Sequence, residues 1–146
     1  MNDNEILLVE DNPDDVELTL RILKKNNLFN NIVVINDGLE ALDYLFGSET
    51  DGNLEPTEEL PQLVLLDLKL PRIDGLELLR RIRLDDRTKL LPVIVLTSSQ
   101  EEQDRIDSYL LRANSFIRKP VNFNNFLEAV RQLGLYWLIL NEQPTG

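Results

Sequence analysis

Cysteine and histidine are both missing from this 146-residue sequence, and the two absences exclude whole branches of chemistry. Without cysteine there is no disulfide, no thiolate nucleophile and no zinc-thiolate centre. Without histidine the usual general base and the commonest transition-metal ligand are gone. Any metal must be held by oxygen, which points to Mg²⁺, with Mn²⁺ or Ca²⁺ as substitutes. Positive charge is scarce as well: 15 lysines and arginines stand against 26 aspartates and glutamates, for a net charge of −11. Such a chain repels phosphate backbones, so nucleic acid is not an expected partner. The apolar stretch Leu135-Tyr136-Trp137-Leu138-Ile139-Leu140 falls far short of the ~20 residues of a membrane span. The opening Met1-Asn2-Asp3-Asn4-Glu5 has no basic segment leading into a signal-type apolar run, so a cytoplasmic protein without a membrane partner is expected.

What is present has a clear rhythm. Five short apolar runs, residues 6–9, 32–35, 63–66, 93–96 and 115–118, alternate with five helical patterns. This predicts an α/β fold, a single doubly wound five-stranded parallel sheet covered on both faces by five helices, in one domain over residues 1–146. The first helix should be capped by Asn12, start at Pro13, carry Asp14 and Asp15 in its first turn, and turn Val16, Leu20 and Leu23 to the core. The second follows Asp37-Gly38 with Leu39, Leu42 and Phe46 inward. The third follows Gly75 with Leu76, Leu79 and Ile82, broadened by Leu78. A fourth, weaker pattern opens after Ser99, and a fifth repeats Phe126, Val130, Leu133, Trp137 and Leu140. Between Gly47 and Pro61 the chain is acidic, without a basic residue, and reads as an extended surface loop.

Chemistry-bearing residues gather where these strands end. Glu10-Asp11 follow strand one, Asp67 strand three, Thr97 strand four and Lys119-Pro120 strand five. Taken singly each has an ordinary use in a cap, a turn or a solvated surface. Together, three carboxylates, a hydroxyl and an ammonium at C-terminal strand ends suit a cation-assisted phosphoryl site. Clustered carboxylates repel unless a cation lies between them, and aspartate becomes a useful nucleophile when metal and cationic groups offset the charge of the transferred group. Asp67 is the candidate nucleophile, Lys119 a point charge, and Thr97 a donor to a phosphoryl oxygen.

The ordered set Glu10-Asp11, Asp67 with Leu70-Pro71 and Asp74-Gly75, Pro92 to Thr97, and Lys119-Pro120 resembles the receiver domain of two-component response regulators. The resemblance spans about residues 5–135, leaving a C-terminal extension and tail over 136–146. It implies the flavodoxin-like strand order 2-1-3-4-5 and Asp67 as phosphoacceptor. It further implies an Mg²⁺ site from Asp11, Asp67, the backbone carbonyl of Lys69, and Glu10 acting largely through water. Thr97 and Lys119 would contact the phosphoryl group, Thr97 and Phe116 would form the switch pair, and the bond before Pro120 would be cis. Arg112-Ala113-Asn114 departs from the glycine-alanine turn common in such domains. The acidic loop, the Leu110 to Phe116 stretch and Tyr136-Trp137-Leu138 are similar to the small regulators paired with cyanobacterial phytochromes and bacteriophytochrome kinases.

The expected function is therefore a stand-alone phosphoacceptor switch. With no histidine of its own, it would take its phosphoryl group from a sensor histidine kinase of the phytochrome kind and signal to a downstream protein target. It would not be an enzyme with turnover, and it would lose the phosphoryl group slowly, because neither Lys69 nor Ser99 suits the positioning of hydrolytic water. Two other readings compete. A phosphorylation-independent interaction module would not need the intact carboxylate, hydroxyl and lysine set, and an aspartyl-phosphate phosphatase would want an acidic group two residues after the nucleophile, where Lys69 stands. Excess apolar residues after Gly134 predict a homodimer whose surface includes Tyr136, Trp137 and Ile139.

Overall fold

The computed structural model describes residues 5–25, 31–47, 60–98 and 113–132. Each apolar run becomes a strand: β1 (Glu5–Val9), β2 (Asn31–Ile35), β3 (Leu63–Asp67), β4 (Val93–Thr97) and β5 (Ser115–Arg118). All pair in parallel in the order β2-β1-β3-β4-β5. Central strands β1, β3 and β4 are buried along their whole length, which explains why they read as continuous apolar runs rather than alternating ones.

Alternation survives as a division between two cores. Ile6, Leu8, Leu63, Leu65, Ile94 and Leu96 point to one face, where they pack with Leu23 and Phe126. Leu7, Val9, Val64, Leu66, Val93 and Val95 point to the other, against Ala41, Leu45, Leu79 and Ile82. Apart from Ala41, each of these buried side chains contributes roughly 1.5–3 kcal/mol relative to exposure. Because the period is two, Asp67 continues the Leu63-Leu65 row on the first face, and Thr97 the Val93-Val95 row on the second.

Four helices lie among the described residues: α1 (Pro13–Lys25), α2 (Gly38–Phe46), α3 (Gly75–Leu84) and α4 (Phe123–Gln132), the last corresponding to the fifth helical pattern. The fourth pattern, after Ser99, lies outside the described residues, as do most of the 47–61 loop and Tyr136, Trp137 and Ile139. No helix among the described residues is long and apolar enough to cross a membrane. The Asn12 cap falls where expected, its Oδ1 accepting from the backbone N–H groups of Asp14 (2.9 Å) and Asp15 (3.2 Å); Asp37 likewise caps α2, accepting from Leu39 and Glu40, and Asp74 caps α3, accepting from Glu77.

In α1 to α3 the inward faces match those expected at Leu23, Leu78, Leu79 and Ile82 and differ elsewhere. In α2 the buried residues are Gly38, Ala41 and Leu45, while Leu39, Leu42 and Phe46 are half-buried at its margin. The reason is a close approach: a Cβ on residue 38 would lie 1.6 Å from the Ile73 carbonyl oxygen, so the helix can dock only with Gly38 turned inward. In α1 the fully buried pair is Thr19 and Leu23, with Val16 and Leu20 half-buried against the same core. In α3 Leu78 joins Leu79 and Ile82 in the core and Leu76 sits at the edge.

Candidate functional site

β1, β3 and β5 deliver their terminal residues to one edge of the sheet. The β1 ladder runs on past Val9, with the Glu10 N–H donating to Ile35 O at 3.0 Å, and this leaves the Glu10 side chain completely buried. Asp67 ends β3 at 5% exposure, whereas Asp11 and Lys69, one step beyond the strands, are exposed. One carboxylate oxygen from each of Glu10, Asp11 and Asp67 lies within 4.8 Å of the others. That spacing can be spanned by a single hard cation with ligands at about 2.1–2.6 Å.

Lys119 is held opposite this cluster. Its N–H donates to Thr97 O at 2.7 Å, extending the β4–β5 pairing, and its bond to Pro120 is cis. The ammonium contacts three carboxylates, Glu10 Oε1 at 2.8 Å, Asp15 Oδ2 at 3.1 Å and Asp67 Oδ2 at 3.3 Å. Burial opposes its charge, but its bonds to Glu10 and Asp15 and the field of Asp67 outweigh burial and hold the ammonium above its ordinary pKa.

Glu10 is the group under most tension. Its Oε2 accepts from the Asn12 N–H at 3.2 Å. Its Oε1 is buried and meets the Lys119 ammonium at 2.8 Å as an ion pair, without a well-formed hydrogen bond. Burial, reinforced by neighbouring Asp67 and only partly offset by Lys119, pushes its carboxyl up to about 7. A buried oxygen without a well-formed hydrogen bond and facing a second carboxylate is the environment a divalent cation relieves. The residues present therefore fit Mg²⁺ or a similar ion.

The loop after β3 is pinned from two sides. Gly75 approaches so closely that a Cβ there would lie 2.2 Å from Asp67 O, and its N–H donates to Leu68 O at 2.8 Å. Across the loop, Gly38 N–H donates to Pro71 O at 3.2 Å, and Arg72 Nε donates to Asp37 Oδ2 at 2.6 Å while adopting a left-handed φ of 67°. Lys69 is held beside Asp67 by a long backbone contact, N–H to Oδ1 at 3.4 Å. Thr97 is buried at the end of β4, and half-buried Phe116 packs on the same sheet face, paired in register with Val95 two residues before it.

Glu10, Asp11, Asp67 and Lys119 are thus brought together, Thr97 ends the neighbouring strand, and Lys69 borders the cluster. Three residues take a part in the site that the sequence did not assign to them. Asp15, read only as a favourable charge in a helix first turn, reaches Lys119. Asn12 supplies a backbone donor to Glu10, and Arg72 ties down the loop. Asn12 and Asp15 carried only helix-start signals, and Arg72 none.

A doubly wound parallel sheet whose C-terminal edge gathers a carboxylate cluster and a lysine beside a buried threonine is the arrangement of a receiver domain. Residues 6–131 match the response regulator receiver domain, and the chain belongs to that family. It is 38% identical over 139 residues to the probable methanogenesis regulatory protein FilR2 of Methanothrix harundinacea, covering 95% of this chain and 86% of that one. Response regulator Rcp1 of Synechocystis sp. is 37% identical over 133 residues, covering 91% and 88%. In three dimensions the chain is similar to the bacteriophytochrome response regulator AtBRR, with a TM-score of 0.81 and 51% identity across 92% of this chain and 94% of the other. The Mn²⁺-bound form of Rcp1 gives 0.71 and 34% identity across 97% and 99%. Within the family it is thus similar to small response regulators, a bacteriophytochrome response regulator among them.

Proposed function

We propose that the protein is a phosphoacceptor response regulator in which Asp67 takes a phosphoryl group from a phosphohistidine on a sensor kinase, with Mg²⁺ required. The observation that carries this reading is the buried Glu10 carboxylate, 2.8 Å from the Lys119 ammonium and clustered with Asp11 and Asp67. Glu10, Asp11 and Asp67, with the Lys69 carbonyl, would hold the ion, as the Mn²⁺-bound form of a relative supports. Bound there, it would neutralise charge that develops on the transferred phosphoryl oxygens.

This chain's own residues do the rest. A carboxylate oxygen of Asp67 forms the new P–O bond as the P–N bond of the phosphohistidine breaks, its electron pair staying on the departing imidazole. Lys119 stabilises the incoming negative charge, Thr97 donates to a phosphoryl oxygen, and Phe116, on the same face as Thr97, follows its movement. The new contacts exist only in the phosphorylated state, so they bias a two-state equilibrium.

The kinase proposed as partner is a bacteriophytochrome or cyanobacterial phytochrome, by analogy with the bacteriophytochrome regulator AtBRR. The rest of the reading is a cytoplasmic protein with one receiver domain over residues 1–146, including a fifth helix over the pattern after Ser99. It passes its signal to a protein target and self-associates through Tyr136, Trp137 and Ile139. Incubation with a phosphorylated bacteriophytochrome kinase and Mg²⁺ tests the central step. Label should pass to the wild type and not to Asp67→Asn, whose nearly isosteric amide keeps the fold but cannot act as the carboxylate nucleophile. Equal labelling of both proteins would overturn the assignment.

A further inference from the structure

The proposed chemistry uses Glu10, Asp11, Asp67, Thr97 and Lys119, but a fourth carboxylate also reaches into the site. Asp15, in the first turn of α1, accepts a hydrogen bond from Lys119 Nζ at 3.1 Å. An ammonium has three protons to donate and no more, and Lys119 already faces three carboxylates. Of these contacts the one to Asp15 is a formed hydrogen bond and the other two are ion pairs, so a newly arrived phosphoryl oxygen must compete for an ammonium that three anions already hold. The contact that gives way most easily sets the cost of that competition.

The three partners are not equally able to do so. Glu10 is fixed by complete burial, and Asp67 is the residue proposed to carry the phosphoryl group. Asp15 alone sits on a helix, and its side chain is 31% exposed, against 0% for Glu10 and 6% for Asp67. Water can replace what it loses. Helix α1 and Lys119 also belong to different parts of the chain, so the contact ties the first helix to the end of β5, 104 residues away in sequence.

From this geometry we infer that Asp15 is a positioning residue that holds the Lys119 ammonium in the resting site and competes with the phosphoryl group for it. It thereby sets how readily the site accepts phosphorylation. This rests on the phosphoacceptor reading above and deepens it: the resting site is held by an internal carboxylate that occupies the lysine until a stronger anion arrives.

The test compares Asp15→Asn with Asp14→Asn. Both remove one charge from the same helix turn and so change the helix-terminal field equally, but exposed Asp14 has no ion pair to Lys119 among those of the described residues. Beryllofluoride, a phosphoryl mimic, is titrated into each protein at fixed Mg²⁺. Asp15→Asn should bind it more tightly by about threefold or more, the scale of a half-exposed ion pair, and Asp14→Asn should stay near wild type. In a Lys119→Met background the Asp15→Asn gain should vanish. A metal-free readout runs beside it: the NMR signal of the Lys119 side chain should move in Asp15→Asn and not in Asp14→Asn. If wild type binds the mimic but Asp15→Asn binds no better, or Asp14→Asn gains as much, or the gain persists without Lys119, the inference is overturned while the phosphoacceptor reading stands. If wild type with Mg²⁺ does not bind the mimic at all, that reading fails and takes the inference with it.

Discussion

Two glutamates bracket β1, and both are buried, Glu5 at 2% exposure and Glu10 at 0%. At the N-terminal edge of the sheet, Glu5 receives the Tyr44 hydroxyl on Oε2 at 3.0 Å and the Asn31 amide on Oε1 at 3.4 Å. Neutral donors from β2 and α2 occupy both its oxygens, and the residue pins three elements together. At the opposite edge, one Glu10 oxygen has only an ion-pair contact in place of a well-formed hydrogen bond, with a second carboxylate beside it and the lysine shared with two rivals. The same residue type at the two ends of one strand is thus a finished structural joint in one place and an unfinished electrostatic site in the other. The unfinished end is where open α/β sheets bind their ligands.

The comparison is sharpened most by removing charge at the unfinished end. Glu10→Gln should weaken Mg²⁺ binding by about 10- to 100-fold, in the range seen when residues supporting a metal site are lost, whereas Glu5→Gln should leave it within about twofold. Equal losses in calorimetric titrations of the two variants would erase the distinction. Next in size is stability. Glu5→Ala strips the acceptors from Tyr44 and Asn31 and should destabilise the fold by about 1–3 kcal/mol in urea unfolding. Glu10→Gln should lose less in metal-free protein, because it also relieves the repulsion from Asp67. The reverse ranking would contradict the account.

A pH profile gives the third and smallest effect. Glu10 is raised from 4.5 to about 7 in the folded, metal-free protein, so between those values the native state binds more protons than the unfolded one. Its contribution is therefore greatest below about pH 4.5 and is lost as pH rises towards 7. Lys119 is raised from 10.5, so its contribution is held up to that value and lost only at higher pH, outside this window. Metal-free wild type should show this decline and Glu10→Gln should not; parallel profiles would remove Glu10 as its source.

Much of this was legible in the sequence, for physical reasons that can be named. Strands buried on both faces left unbroken apolar runs at β1, β3 and β4, and Asn12-Pro13 announced the first helix by side-chain chemistry that operates locally. What periodicity could not reveal was rotation. Leu39, Leu42 and Phe46 satisfy a helical stripe, but the contact of Gly38 with the Ile73 carbonyl, between residues far apart in the chain, turns α2 so that Ala41 and Leu45 face inward. The site divides in the same way. Glu10, Asp11, Asp67 and Lys119 stood out because strand ends bring such groups to one edge. Asp15 did not, because its reach to Lys119 depends on where α1 packs across β5's end, and its charge had a sufficient local explanation in the helix dipole.

The most direct measurement is intact-mass spectrometry of the wild type after incubation with acetyl phosphate, with and without Mg²⁺, followed by mapping of the modified residue. The account predicts one added phosphoryl group, only when Mg²⁺ is present, and only on Asp67. No adduct in the presence of Mg²⁺, a magnesium-independent adduct, or an adduct mapped to another carboxylate would contradict it.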